Sequence, residues 1–367
     1  MKITRLTVYK THLPYVGGTY GWGAGNAIST AISSVVVLET DSGLSGCGEF
    51  TPCGENYMVA HSEGVTAAAK LLAPVLIGQD PRQVEHIDWI LDQAMQGHGY
   101  AKAPIIAACY DILGKATEMP VWMMMGGKLT DGAPMYRVAP QKSVDETKAE
   151  MEQHRAAGYR QFQVKVGADW EVDIQRIRQT VPLLKAGEKA MADANQGWRV
   201  DNAIRVARAT QDLDFILEQP CQTYEECQQV RRHVAQPMKL DECVTGILAA
   251  QRIVHDKGAE ICCLKISNLG GLVKARRVRD YLVANRIPVV SEDTWGGQIT
   301  SSAVAHFAAS TPEEYLINST DLHNYNTRST GIGGPRVEDG KLYAPDTPGL
   351  GVEPDYDSLG DPVAIYG

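Results

Sequence analysis

Five apolar segments of this chain each run into a charged residue. They are Gln-Phe-Gln-Val-Lys at Lys165, Ala-Met-Ala-Asp at Asp193, Phe-Ile-Leu-Glu at Glu218, Met-Lys-Leu-Asp at Asp241 and Ile-Cys-Cys-Leu-Lys at Lys265. In every case an apolar residue (Val164, Ala192, Leu217, Leu240 or Leu264) stands directly before the charge. Side chains alternate along a strand, so in strands those apolar residues face one way and the charges the other. The same alternation turns Glu242 away from Asp241. Three carboxylates brought together repel one another unless a cation sits among them. Ligands that are all oxygen suit Mg²⁺ better than zinc, which favours His and Cys. A lysine is ordinarily too basic to accept a proton at neutral pH, but desolvation and a neighbouring positive charge lower its pKa into the working range. A carboxylate substrate held by a metal between two such lysines is an arrangement for removing an α-proton and stabilising the enediolate.

For these charges to meet, their segments must be neighbours in one sheet. From about Tyr136 short apolar runs alternate with amphipathic stretches at intervals of roughly 25 residues, the rhythm of βαβ units. Strands are expected near 134–139, 161–165, 189–193, 214–218, 237–241, 261–265, 287–292 and 315–320. Eight of them predict a (β/α)7β-type TIM-like barrel, whose strand C-termini are where such folds place active sites. Between them Ser143 with Glu146, and Thr223 with Glu226, resemble capping boxes. Trp170, Ile174, Ile177, Val181 and Leu184 keep a helical stripe. Residues 1–125 read differently, as an α+β capping domain. Val35–Glu39 and the turn Asp41-Ser42-Gly43 suggest a hairpin, and Ala101 to Glu118 a helix. The barrel is expected over 126–325, with 326–367 returning to the capping domain.

The composition suits this division. A chain of 367 residues, 44% hydrophobic and 22% charged, fits a globular barrel with a smaller partner domain. A net charge of −9 argues against nucleic acid, whose phosphates attract clustered Lys and Arg. No run of 18 apolar residues or signal-like segment appears, which predicts no membrane contact. Eight cysteines without zinc-type spacing read as reduced thiols of a cytoplasmic protein.

Gln-Val-Lys-Val-Gly (163–167), Asp-Ala-Asn-Gln-Gly-Trp (193–198), Glu-Gln-Pro (218–220), Asp-Glu (241–242) and Leu-Lys-Ile-Ser-Asn-Leu-Gly-Gly (264–271) together resemble the enolase superfamily, and within it the muconate-lactonizing-enzyme subgroup. Gly-Cys-Gly-Glu (46–49) and Ala-Cys-Tyr-Asp-Ile-Leu-Gly-Lys (108–115) look like that family's capping domain. The resemblance implies that Asp193, Glu218 and Asp241 bind Mg²⁺, that Lys165 and Lys265 are the acid/base pair, and that the enzyme is a homo-oligomer. Two departures stand out. Many members carry Lys-x-Lys on the second barrel strand, where this chain has Gln163. The seventh strand reads Ser-Glu-Asp-Thr-Trp-Gly-Gly (291–297), without the His of the mandelate racemase pattern.

Thr-Pro-Cys-Gly-Glu-Asn-Tyr (51–57) and Thr-Asp-Leu-His-Asn-Tyr (320–325) look like members that act on proline derivatives. This implies dehydration of cis-3-hydroxy-L-proline to Δ1-pyrroline-2-carboxylate, or else epimerisation of a proline or hydroxyproline betaine. A catalytically silent small-molecule binding protein is the remote alternative. The segment 17–26, with Tyr20 and Trp22 among glycines, reads as a lid over the mouth, and Tyr57 as a second lid contact. Asp293 and Asp321 are candidate partners for a substrate ammonium, and Trp295 offers it a ring face. Gly296-Gly297 before a helix suggests an anion site. His98 and His323 show no metal-ligand spacing.

Overall fold

The computed structural model describes residues 1–139 and 143–367. Its first part is built on an antiparallel sheet. β1 (Ile3–Pro14) pairs with β4 (Thr30–Thr40), and β4 with β5 (Ser45–Phe50). The β4–β5 turn places Gly43 at φ 81°, a conformation glycine adopts without strain. Between β1 and β4 a small hairpin of β2 (Tyr20–Trp22) and β3 (Asn26–Ile28) stands apart from the sheet. The helix Gly99–Thr117 packs across β5, burying Ile105, Cys109 and Ile112 together with the sheet's Val36 and Leu38. On the far edge of β1 the strand Ala364–Tyr366 is added from the other end of the chain.

The second part is the expected barrel. After the short β6 (Ala133–Pro134) come eight parallel strands in sequential order. They are β7 (Tyr136–Ala139), β8 (Gln161–Lys165), β9 (Lys189–Asp193), β10 (Ile216–Glu218), β11 (Met238–Leu240), β12 (Ile261–Lys265), β13 (Val289–Glu292) and β14 (Leu316–Ser319). A parallel bridge from Met135 to Ser319 brings the two edges together. Three strands have the expected bounds and five are two residues shorter. Both capping boxes form, at Ser143/Glu146 and Thr223/Glu226. Among the described residues no helix is long and apolar enough to cross a membrane, and all eight cysteines are free.

The two parts are clasped by one carboxylate. Glu49, on β5, accepts hydrogen bonds from the backbone N–H of Gly297 (2.8 Å) and Thr300 (2.9 Å) at the start of the helix Gln298–Ala309. The N-terminal end of a helix carries partial positive charge and unsatisfied N–H donors. The anion at the Gly296-Gly297 site is therefore the protein's own side chain.

Candidate active site

The barrel register brings the charged strand ends together. Lys165 lies opposite Asp193, Asp193 opposite Glu218, and Lys265 opposite Glu292 on neighbouring strands. Asp193, Glu218, Asp241, Lys165 and Lys265 are all buried. Lys165 Nζ donates to Asp193 Oδ2 at 2.6 Å and to Asn195 Oδ1 at 3.1 Å. Lys265 Nζ pairs closely with Asp241 Oδ2 and lies 3.9 Å from Glu292 Oε1. Glu218 Oε1 is 2.6 Å from Nζ of Lys239, and its Oε2 accepts from Gln163 Nε2 at 3.1 Å. Gln163 also donates to Asp193 at 3.1 Å. β8 and β12 are separated by three strands in a barrel of eight. The two lysines thus approach the carboxylates from opposite walls.

The strand ends hold their shape partly through unusual backbone. Asn195, Gln196 and Gln219 have φ of 42°, 68° and 33°, a left-handed region that non-glycine residues rarely enter. The turn after Asp193 is fixed by Asn195 N–H donating to Asp193 Oδ1 (2.9 Å). That after Glu218 is fixed by Gln219, whose Oε1 accepts from Asp241 N–H (2.9 Å) and so ties β10 to β11.

Electrostatics here are dominated by burial and by opposite charges at contact. Burial pushes the Glu218 carboxyl up to about 7, with Asp193 adding to the effect and Lys239 opposing it. Burial also disfavours the ammonium of Lys165, but Asp193, Tyr20 and Glu218 outweigh it and hold the group well above the ordinary lysine range. Lys265 is held up in the same way, against burial, by Asp241, Cys263 and Glu292. The expected lowering of these lysines is thus absent: each touches a carboxylate rather than another cation.

Glu242 departs from the alternation rule. β11 ends at Leu240, so Asp241 and Glu242 follow in a turn where alternation no longer applies. Glu242 is buried, accepts from Asn195 Nδ2 at 3.2 Å, and is driven up by burial and by Asp241. Glu292, at the end of β13, is a further inward carboxylate, receiving hydrogen bonds from Tyr136 Oη (3.2 Å) and Cys263 Sγ (3.3 Å).

Three carboxylates are matched by three lysines, Asp193 with Lys165, Asp241 with Lys265 and Glu218 with Lys239, while Glu242 and Glu292 leave two formal negative charges over. Among the described residues no three acidic, His or Cys side chains already converge as ligands; lysine ammonium groups stand between them. Asp241 Oδ1 and Glu242 Oε2 are nonetheless buried without a hydrogen-bond partner. Oxygen donors and orphaned carboxylate oxygens fit a hard divalent cation.

Above Lys165 is a small chamber walled by Tyr20, Trp22, Tyr57, Tyr136, Trp295 and Tyr325. Its free volume of about 30 Å³ is about that of one water molecule in the liquid. Outside it, between the two domains, lies a cleft of about 1280 Å³. Trp22, Tyr57, Asn195 and Thr294 line both and form the wall between them. Trp22 and Tyr57 meet edge to face at 6.2 Å, and Tyr57 Oη reaches Asp241 Oδ2 at 3.4 Å. The hairpin carrying Trp22 is seated by backbone, Ala24 N–H donating to Gly167 O at 2.9 Å. A Cβ on Gly23 would lie 2.0 Å from Ala194 O, so only glycine fits there.

The other sequence candidates are placed as follows. Tyr20 stacks at the chamber, its ring centroid 6.0 Å from Lys165 Nζ and 5.1 Å from the Trp295 ring. Trp295 is buried, with its Nε1 committed to Asn326 Oδ1 at 2.8 Å. Asp321 lines neither space; it is the counter-ion of Arg137, with Nη2 2.7 Å from its Oδ2. Asp293 also faces away, accepting from Ser267 N–H (3.1 Å), the Ser267 hydroxyl and Thr294 N–H (2.7 Å). Burial pushes its carboxyl up to about 6.

Comparison with known proteins agrees with this architecture. Residues 146–358 match the enolase C-terminal domain-like family, and residues 23–126 the N-terminal domain of mandelate racemase/muconate lactonizing enzymes. A cis-3-hydroxy-L-proline dehydratase from Roseibium aggregatum is 43% identical across 100% of both chains. A solved mandelate racemase/muconate lactonizing enzyme from Roseovarius nubinhibens is 73% identical, with a TM-score of 0.97 over 100% of this chain and 98% of the other. Another structure from that organism, complexed with magnesium, is 33% identical with a TM-score of 0.95 over 100% of both chains. From its barrel, its cap and these relatives, the chain is an enzyme of the enolase superfamily, in the mandelate racemase/muconate lactonizing enzyme family.

Proposed function

We propose that this enzyme is a Mg²⁺-dependent hydro-lyase that removes the α-proton of a small amino-acid carboxylate and eliminates water. Its proposed substrate is cis-3-hydroxy-L-proline. The observation that carries this is the placement of Lys165 and Lys265 on opposite walls of the barrel around a group of buried carboxylates. In a cis-3-hydroxy acid the α-hydrogen and the hydroxyl lie on opposite ring faces, so two facing lysines are suited to take the proton from one face and protonate the departing hydroxyl on the other. Loss of both gives a ring enamine, which tautomerises to Δ1-pyrroline-2-carboxylate. Asp193, Glu218 and Asp241 would hold the Mg²⁺, which when bound supplies Lewis acidity toward the negative charge developing on the substrate carboxylate. Lys165, at the chamber wall, is assigned as the base toward the L-configured substrate and Lys265 as the acid. Tyr20, Trp22 and Tyr57 exclude water from the reacting face. The eight unpaired cysteines suit a reducing cytoplasm.

One observation favours a second reading, epimerisation of a proline betaine. Asp293 and Asp321 are both committed to protein partners, and the chamber offers a cationic nitrogen aromatic faces instead. Such faces suit a quaternary ammonium. The deciding experiment is incubation of purified protein with Mg²⁺ in D₂O, with cis-3-hydroxy-L-proline or a proline betaine, followed by proton NMR. The first is expected to lose water, and chelation to abolish that loss until Mg²⁺ is returned. Inversion of the betaine with no turnover of the hydroxyproline would move the assignment to the epimerase. Full activity in metal-free protein would overturn both.

A further inference from the structure

Lys239 is fully buried inside the barrel and lines neither the chamber nor the cleft. It has no path to a substrate, yet burying an ammonium is costly unless something specific needs the charge. Its register partner on β10 is Glu218, and its Nζ lies 2.6 Å from Glu218 Oε1. It lies on β11, one residue before the strand ends at Leu240, and its ion pair with Glu218 directs its side chain into the barrel. The carboxylate is gripped from two sides: Lys239 on Oε1, and Gln163 Nε2 on Oε2 at 3.1 Å. The charge comes from the fifth barrel strand, and the second strand contributes only a neutral amide.

We propose that Lys239 is a positioning residue for the metal: a fixed cation that turns Glu218 toward Asp193 and offsets its charge from behind. The inference rests on Asp193, Glu218 and Asp241 being the metal ligands. Lys239 grips one oxygen of Glu218 and leaves the other to Gln163, whose amide also donates to Asp193 and so joins two of the carboxylates that would hold the metal. A lysine at 163 would reach the same two carboxylates from the second strand, so the charge could be relocated without changing the total.

The test compares Mg²⁺ binding by calorimetry, without substrate, in the wild type, Lys239→Met and the double variant Lys239→Met/Gln163→Lys, with folding followed by circular dichroism. Lys239→Met is expected to bind Mg²⁺ about 10–100-fold more weakly, the usual cost of losing a residue that orients a metal ligand. The double variant is expected to recover at least tenfold of that loss. Wild-type affinity in folded Lys239→Met overturns the proposal, and so does a folded double variant that recovers nothing. If Lys239→Met does not fold, the double variant decides alone. Folding with restored Mg²⁺ binding supports the role, and failure to fold overturns it, because relocated charge should then suffice. A wild type that binds no Mg²⁺ would instead remove the ligand assignment itself.

Discussion

Lys165 opens onto the chamber beside Asp193, whereas Lys265 lies beneath the ring of Tyr57, its Nζ 5.5 Å from the centroid. Replacing the base should stop both α-hydrogen exchange and product formation. Replacing the acid should stop water loss while leaving exchange, because the base can return the proton it removed. Either loss is expected to cost about 10²–10⁴-fold in rate. Exchange in D₂O by Lys165→Ala against Lys265→Ala separates the roles; wild-type exchange in both would mean that neither touches the α-proton. These two lysines were legible because an apolar residue precedes each at a strand end. Glu292 was not: Ser291 precedes it, and Ser291 turns outward by donating its hydroxyl to Val304 O, as an apolar residue would turn toward the helix. Lys239 was hidden because Met-Lys-Leu-Asp gives no sign of Glu218, its ion-pair partner on the neighbouring strand. Asp321 looked available because the sequence gives no sign of Arg137, 184 positions earlier and its ion-pair partner.

At the scale of elements, strand alternation served wherever the chain was still a strand and failed one residue beyond, at Asp241-Glu242. The hairpin of β2 and β3 was legible as aromatic residues among glycines, but not its seat. That seat is backbone against backbone, Ala24 on Gly167 and Gly23 on Ala194, which leaves no side-chain pattern to read. Gly23→Ala should therefore leave the barrel folded but lift the hairpin. Misplacing a group that closes a site by about 1 Å can cost about 10²-fold in turnover, and a drop in kcat/KM of that order is expected, with an unchanged melting temperature. A variant with wild-type kcat/KM would show that the hairpin's seating has no part in the reaction.

Taken as a whole, the molecule closes its reaction space with residues from two domains. Glu49 locks one to the other, five hydrogen bonds converging on a carboxylate that the sequence displays only as part of Gly-Cys-Gly-Glu. The anion expected at Gly296-Gly297 was thus legible as a need, though not as a partner 248 residues away. Tyr20, Trp22, Cys53 and Tyr57 of the cap face Tyr136, Lys165, Glu292 and Trp295 of the barrel across a space of only about 30 Å³. The five-membered ring of the proposed substrate does not fit such a volume while Trp22 and Tyr57 stay in contact. On the proposed function, every turnover would wait twice for that wall to part, once to admit a molecule and once to release it. If this motion is slower than the proton transfers, the enzyme's clock runs on friction with the solvent. Turnover should fall in proportion to the viscosity of added sucrose, and a rate indifferent to viscosity would place the slow step back among the lysines.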